Sequence, residues 1–299
     1  MAVLSLLRNL PDAQIVVVIG DVAPSSIRLF KATFPSVEVV ENSSDIGARS
    51  GNHQEKASQK IDDWFFLYKS LNAGQTGIFF DADVLFVQIS AVDVVFEGDL
   101  LITVKDHKWP VNAGVVGVKR KVWTDNFFRR WHQLTREILE DSSLSEEAAL
   151  SFGAGDQAAL VQALKLFGVE LGSISLGHPQ NQTIQGVTFA PCSVLNEVRS
   201  IPITPSLRIV HFKTTWHEIL FRERGFYAGR PAESSREMYD AWREVYRQLL
   251  EIETRSLEDI VVREIGKMQM SMVKPSPTSM FTGELAFLSR QSGFLTSML

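Results

Sequence analysis

Residues 78–87 read Ile-Phe-Phe-Asp-Ala-Asp-Val-Leu-Phe-Val, an apolar run broken by two acids. No other feature constrains the fold so tightly. A short run rich in branched and aromatic side chains has the character of a buried strand. Burying two charged carboxylates without partners costs several kcal/mol each. A fold that keeps Asp81 and Asp83 there must place them at the end of a strand, where something offsets their charge. In a regular strand, residues two apart face the same side. The pair is therefore expected to repel itself and to demand a cation, and hard oxygen donors suit Mg²⁺ or Mn²⁺. The plainer reading is a strand-to-turn junction, with Asp81 capping the turn and Asp83 solvated.

Around this run, short apolar segments alternate with segments of helical period. Residues 2–10 read as a helix, 14–19 as a buried strand, 25–34 as a helix and 37–40 as a second strand. Ile61, Trp64, Phe65, Tyr68 and Leu71 share one helical face before the run at 78–87. Residues 100–104, 114–118, 186–190 and 207–212 read as further strands. Trp123, Phe127, Trp131, Leu134 and Ile138 mark a long amphipathic helix, and Asp156 opens another with Leu160, Leu164 and Phe167 on its inner side. Beyond residue 220 no strand follows, and Met238, Trp242, Val245 and Leu249 form a helical stripe. The expectation is one α/β domain over residues 1–220, a helical extension over 221–270, and a Pro- and Ser-containing tail over 271–299, poorly ordered. In such sheets ligands collect where strands end.

Composition excludes several classes. The chain of 299 residues carries a formal net charge of -5 and a pI near 5.7, which argues against nucleic acid as a partner. Cys192 is the single cysteine, so neither an internal disulfide nor a thiolate zinc site can form. Asn42 and Asn181 begin glycosylation sequons, which occur often by chance. The first residues lack the basic start and cleavage site of a signal peptide, and no apolar run approaches the roughly 18 residues of a membrane span. The default expectation is a cytoplasmic protein.

Two chemistries place D-x-D at the end of an apolar strand. Phosphohydrolases of the haloacid dehalogenase class use the first Asp as a nucleophile. They continue with Thr or Val two residues after the second Asp, where this chain has Leu85, and need a later Gly-Asp followed by another acid. Gly155-Asp156 is followed by Gln157-Ala158-Ala159-Leu160, with no second acid.

The other chemistry is sugar transfer. Phe80-Asp81-Ala82-Asp83-Val84 resembles the D-x-D signature of the GT-A-fold glycosyltransferases, especially the retaining families that include glycogenin and bacterial lipopolysaccharide galactosyltransferases. Three further signatures follow in that family's order: Asn112-Ala113-Gly114 before an apolar strand, Gly155-Asp156-Gln157 at the start of a helix, and Ile209-Val210-His211-Phe212 at the end of a late strand. Together they span residues 78–216. The resemblance implies a GT-A-like mixed, mainly parallel sheet flanked by helices. It also implies a nucleoside diphosphate sugar as donor, UDP-linked in many members, and a carbohydrate, lipid or protein acceptor.

The resemblance also distributes roles. Asp81, Asp83 and His211 would hold Mn²⁺ or Mg²⁺, which stabilises the charge on the leaving diphosphate. Asn112 would meet sugar hydroxyls, and Gly114 would let the chain approach the sugar closely. The composition of residues 110–114 is equally that of a turn. Asp156 would bind sugar hydroxyls, although an Asp at a helix start is also a favoured cap. Gln157 would lie near the anomeric carbon and suits a front-face mechanism in which the leaving phosphate takes the acceptor's proton. Lys60, with Lys56 and Arg49 as alternatives, would face the donor. Lys213 would meet the diphosphate, although Lys213-Thr214-Thr215-Trp216 lacks the family's Gly and Pro. GT-A domains open with a nucleoside-binding strand, whereas the first element expected here is the helix that follows it. A non-catalytic nucleotide-sugar-binding module is therefore the alternative function.

Overall fold

The structure, a computed structural model, describes residues 2–19, 22–41, 53–105, 111–197, 203–211 and 233–272. It divides into two compact units, Met1–Glu253 and Thr254–Leu299.

In the first unit the central sheet has five strands: β3 (Thr76–Phe80), β5 (Leu100–Val104), β6 (Val111–Lys119), β7 (Gln182–Ile184) and β8 (Val187–Pro191). Their order is β3-β6-β5-β8-β7. The sheet is mixed. β5 and β8 pair in parallel, and the other neighbours pair antiparallel, so β3, β5 and β8 run one way. β1 (Val16–Ile19) and β2 (Glu38–Glu41) form a separate parallel pair, and β4 (Val84–Phe86) pairs antiparallel with β9 (Ile209–His211).

Every residue of β5 and β8 is buried, which is why both strands are mostly apolar on both faces; their buried Thr103 and Thr188 hydroxyls are hydrogen-bonded. One face of the sheet is covered by α3 (His53–Ser70), α4 (Val122–Glu140) and α6 (Gly155–Leu166). Trp64, Tyr68, Phe127, Phe128, Trp131, Leu160 and Leu164 pack there against Leu100, Ile102, Val116 and Phe189. Each such side chain contributes about 1.5–3 kcal/mol by leaving water. The opposite face meets α1 (Ala2–Asn9), β4 and β9. The Phe86 N–H donates to Ser5 Oγ at 3.1 Å, tying α1 to the strand that follows the acid pair.

α2 (Pro24–Thr33), α5 (Ser142–Phe152) and the short α7 (Cys192–Leu195) complete the unit. Periodicity does not single out α5, because Ala148 is its one buried residue; Asp141 caps it by accepting from the Ser143 and Leu144 N–H groups. Helix α8 spans Glu233–Met272. Within the first unit Val245 is buried, and Leu249 packs into the same cluster. The side chains of Met238 and Trp242 and the tail beyond Met272 lie outside what is described. Among the described residues, no helix is long and apolar enough to cross a membrane.

Two local expectations are corrected. The apolar run at 78–87 is not one strand: β3 ends at Phe80, Asp81 to Asp83 form a turn, and β4 starts a different sheet. The acids share a side because the chain turns there, not because the pleat aligns them. Asn112-Ala113-Gly114 is not a turn ahead of a strand but lies inside β6. Ile102 pairs with Val116 while Thr103 pairs with Asn112, so the β5–β6 register shifts at a bulge that contains Ala113, Gly114 and Val115. Bulges of this kind aim side chains that a regular ladder would misplace.

Candidate active site

The turn after β3 is anchored by the Asp81 N–H, which donates to the Gly114 carbonyl at 3.0 Å. The next strand registers against β9 with Val84 opposite His211. That pairing carries the imidazole to the residue beside Asp83. His211 Nε2 lies 3.0 Å from Asp83 Oδ1 and 3.5 Å from Asp81 Oδ2. The three side chains each offer a ligand atom, and these atoms lie within 4.8 Å of one another, the one such group among the described residues.

Lys60, on α3, reaches the same place. Its Nζ is 2.6 Å from Asp156 Oδ2 and 3.3 Å from Asp81 Oδ1, donates to the Ala113 carbonyl at 3.2 Å, and sits 5.0 Å from the centroid of the Trp64 ring. Burial alone would discharge this ammonium, but the carboxylates of Asp156 and Asp81 hold its pKa above the ordinary lysine value. Asp81 is pushed toward its neutral form. Burial raises its pKa, Lys60 and His211 oppose that, and Asp83 and Asp156 raise it further, so the net direction is up. The two shifts are not those of a matched ion pair. Lys60 sits closer to Asp156, which leaves Asp81 under-compensated beside a second acid. Asp81 Oδ1 is buried, with its 3.3 Å ion pair to Lys60 in place of a well-formed hydrogen bond.

Two carboxylates crowded onto one imidazole repel each other, and a divalent cation between them would relieve that repulsion. Two carboxylates and an imidazole, close together and short of positive charge, fit Mn²⁺ or Mg²⁺.

Asp156 and Gln157 lie in the first turn of α6 and are buried. Asp156 is not the helix cap, a place taken by Ala154. The Trp131 indole donates to the Asp156 carbonyl at 2.9 Å, and its carboxylate is left to Lys60. Gln157 donates its Nε2 to the Phe152 carbonyl at 2.8 Å, which fixes the amide and leaves its buried Oε1 without a partner. Asn112 accepts from the Gly114 N–H at 3.0 Å, and its buried Nδ2 is likewise unpartnered. A buried polar atom left unpaired costs about 1–3 kcal/mol. The fold thus leaves one buried donor and one buried acceptor without a partner in the protein.

Of the residues expected from the sequence, Asp81, Asp83 and His211 converge, and Lys60 and Asp156 join them through the Lys60 ammonium. Gly114 also has a neighbour that no sequence feature announced: a Cβ there would stand 2.6 Å from His211 Cε1 and Nδ1, so its bareness admits the imidazole. Lys213, Arg49 and the side chain of Lys56 lie outside what is described. Asn196, which ends α7, was not singled out by any sequence feature; its Oδ1 lies 2.9 Å from His211 Nδ1. Nothing local marks it, since its partners are distant in the chain.

No protein-family profile matches the sequence, and neither does any curated protein. Among solved structures the chain is similar to a glycosyltransferase involved in the glycosylation of the major capsid of PBCV-1, at 9% identity and a TM-score of 0.37 over 68% of this chain and 94% of that one. It is also similar to the galactosyltransferase LgtC, solved with donor and acceptor sugar analogs, at 12% identity and a TM-score of 0.48 over 81% of this chain and 90% of that one.

Proposed function

We propose that the protein is a metal-dependent glycosyltransferase that moves a sugar from a nucleoside diphosphate sugar to a hydroxyl-bearing acceptor with retention of configuration. The observation that carries this reading is the meeting of Asp81, Asp83 and His211 within 4.8 Å, short of positive charge. The order of the four sequence signatures supports it as well. Asp81, Asp83 and His211 would hold Mn²⁺ or Mg²⁺, and the bound ion supplies Lewis-acid stabilisation of the charge on the departing diphosphate. Lys60 adds a fixed positive charge beside Asp81, in a half-buried site where water screens it less than at the open surface.

The remaining roles follow from what each group has free. Asn112 Nδ2 donates to a sugar hydroxyl, and the Asp156 carboxylate, oriented by Lys60, accepts from one. Gln157 Oε1 faces no hydrogen of the protein and is available to positive charge developing at the anomeric carbon. An amide is a poor nucleophile, which favours a front-face course. The bond from the anomeric carbon to the phosphate oxygen breaks, and the acceptor oxygen bonds to the same face. The acceptor's proton passes to the phosphate oxygen that leaves.

The test is a titration of thermal stability against UDP-, GDP- and dTDP-sugars with and without Mn²⁺, followed by an assay for released nucleoside diphosphate. Metal-dependent stabilisation together with release supports a transferase. Stabilisation with no transfer or hydrolysis would instead assign a nucleotide-sugar-binding module. Release of inorganic phosphate from simple phosphate esters would assign a phosphohydrolase.

A further inference from the structure

His211 Nε2 can face the two carboxylates as a ligand only if the ring's single proton, in its neutral form, sits on Nδ1. The choice between tautomers is made by whatever meets Nδ1. In this protein that choice is traceable to the backbone. Thr103 Oγ1 lies 2.8 Å from the Asn112 carbonyl, which can only accept. The hydroxyl's one hydrogen is therefore spent there. Asn196 Nδ2 lies 2.9 Å from the same Oγ1, so the amide must be the donor in that contact. With its NH₂ turned to Thr103, Asn196 presents Oδ1 to His211 Nδ1 at 2.9 Å, and an amide oxygen can only accept. Nδ1 must carry the hydrogen. The Nε2 lone pair then points at Asp83 and Asp81, at 3.0 and 3.5 Å.

All four members of this chain are buried: Thr103, Asn112, Asn196 and His211 are each no more than 2% exposed. No solvent is at hand to offer Nδ1 another partner or to let the amide flip. The backbone reinforces the arrangement. The His211 N–H donates to the Glu197 carbonyl at 2.8 Å, so the segment carrying Asn196 is laced to β9.

We infer that Asn196, oriented by Thr103, is a positioning residue that sets the tautomer and ring orientation of His211 for metal binding. This rests on the reading of Asp81, Asp83 and His211 as the metal site. Partners behind a ligating imidazole hold it in place and commonly tune metal affinity by about 10- to 100-fold. The pattern also explains a buried asparagine at the end of a four-residue helix, where it caps nothing with its side chain.

The experiment is Mn²⁺ binding to the full chain, read by the electron paramagnetic resonance of free Mn²⁺, on wild type, Asp83→Asn, Asn196→Leu and Asn196→Asp. The expected result is binding in the wild type, its loss in Asp83→Asn, and a Kd raised about 10- to 100-fold in Asn196→Leu. Asn196→Asp, which keeps an acceptor for Nδ1–H, should bind within a few-fold of wild type. Wild-type binding with Asn196→Leu unchanged would overturn the assignment of Asn196 alone. Absence of binding in the wild type would overturn the metal reading and Asn196 with it. Because Asn196→Leu can fail to fold, ¹⁵N NMR of the His211 ring in the wild type, assigned against His211→Gln, reads the tautomer independently. A neutral ring protonated at Nδ1 supports the assignment, and one protonated at Nε2 refutes it.

Discussion

A methyl group built on Gly114 would stand 2.6 Å from two ring atoms of His211, so strand β6 and the imidazole of β9 lie in direct contact. The same glycine accepts the Asp81 N–H and donates its own N–H to Asn112. One residue without a side chain therefore borders Asp81, the imidazole and the asparagine with the free donor.

Gly114→Ala tests that contact. The added methyl must push the His211 ring away from Asp83 or shift the bulge, and overpacking of this kind costs about 1–3 kcal/mol. The expected outcome is a folded protein of lower stability that no longer binds Mn²⁺. A thermal shift with and without Mn²⁺ measures both. Undiminished Mn²⁺ stabilisation would show that the ring has room to spare.

Asp83→Asn should remove the metal's effect on donor binding while leaving the fold intact, since Asp83 stands in a turn at the surface side of the site. A ligand at 100 times its Kd stabilises a protein by about 2.7 kcal/mol. That gain, present with UDP-sugar and Mn²⁺ in the wild type, is expected to vanish in the variant. Persistence of the full shift would place the ion elsewhere.

Gln157→Ala separates ground-state binding from the transition state. The side chain's Oε1 is buried and unpaired, and in the proposed reaction it would meet charge that exists only as the bond from the anomeric carbon to the phosphate oxygen breaks. Turnover should fall by a factor of about 10 or more with donor affinity nearly unchanged, the pattern of an interaction made only in the transition state. Steady-state kinetics beside a binding isotherm decide it, and equal losses in both would assign Gln157 to holding the ground state.

Asp93 supplies a pH prediction away from the site. Burial raises its pKa, but hydrogen bonds from Ser90 and Arg208 more than offset this and hold it below the ordinary carboxylate value. Arg208 Nε stands 2.7 Å away. A depressed folded-state pKa contributes stability above the unfolded value, about 4, and that contribution is lost as pH falls through the folded value. Asp93→Asn should then cost about 1–2 kcal/mol at neutral pH. The gap from wild type should narrow in acid. Urea unfolding of both proteins at neutral and acid pH measures this, and a gap independent of pH would mean that the charge contributes nothing.

What the sequence determined by itself is the set of local facts. The apolar frame around Asp81 and Asp83 marked the acids, because burying charge is costly wherever the chain runs. The 3.6-residue period of Trp123, Phe127, Trp131, Leu134 and Ile138 marked α4, and the short run of branched side chains at Leu100–Val104 marked β5. Tertiary structure alone decided which distant groups meet. His211 reaches Asp83 through the Val84–His211 register, and Lys60 and Asp156 meet across α3 and α6. Gly114 owes its requirement to a ring from another strand, and Asn196 and Thr103, far apart in the chain, meet through a single hydrogen bond. Propensity and periodicity report on a residue and its near neighbours in sequence. Strand register, a bulge in β6 and the choice of hydrogen-bond partner for a buried amide are settled only when remote segments pack, by the cost of leaving a polar group unpaired.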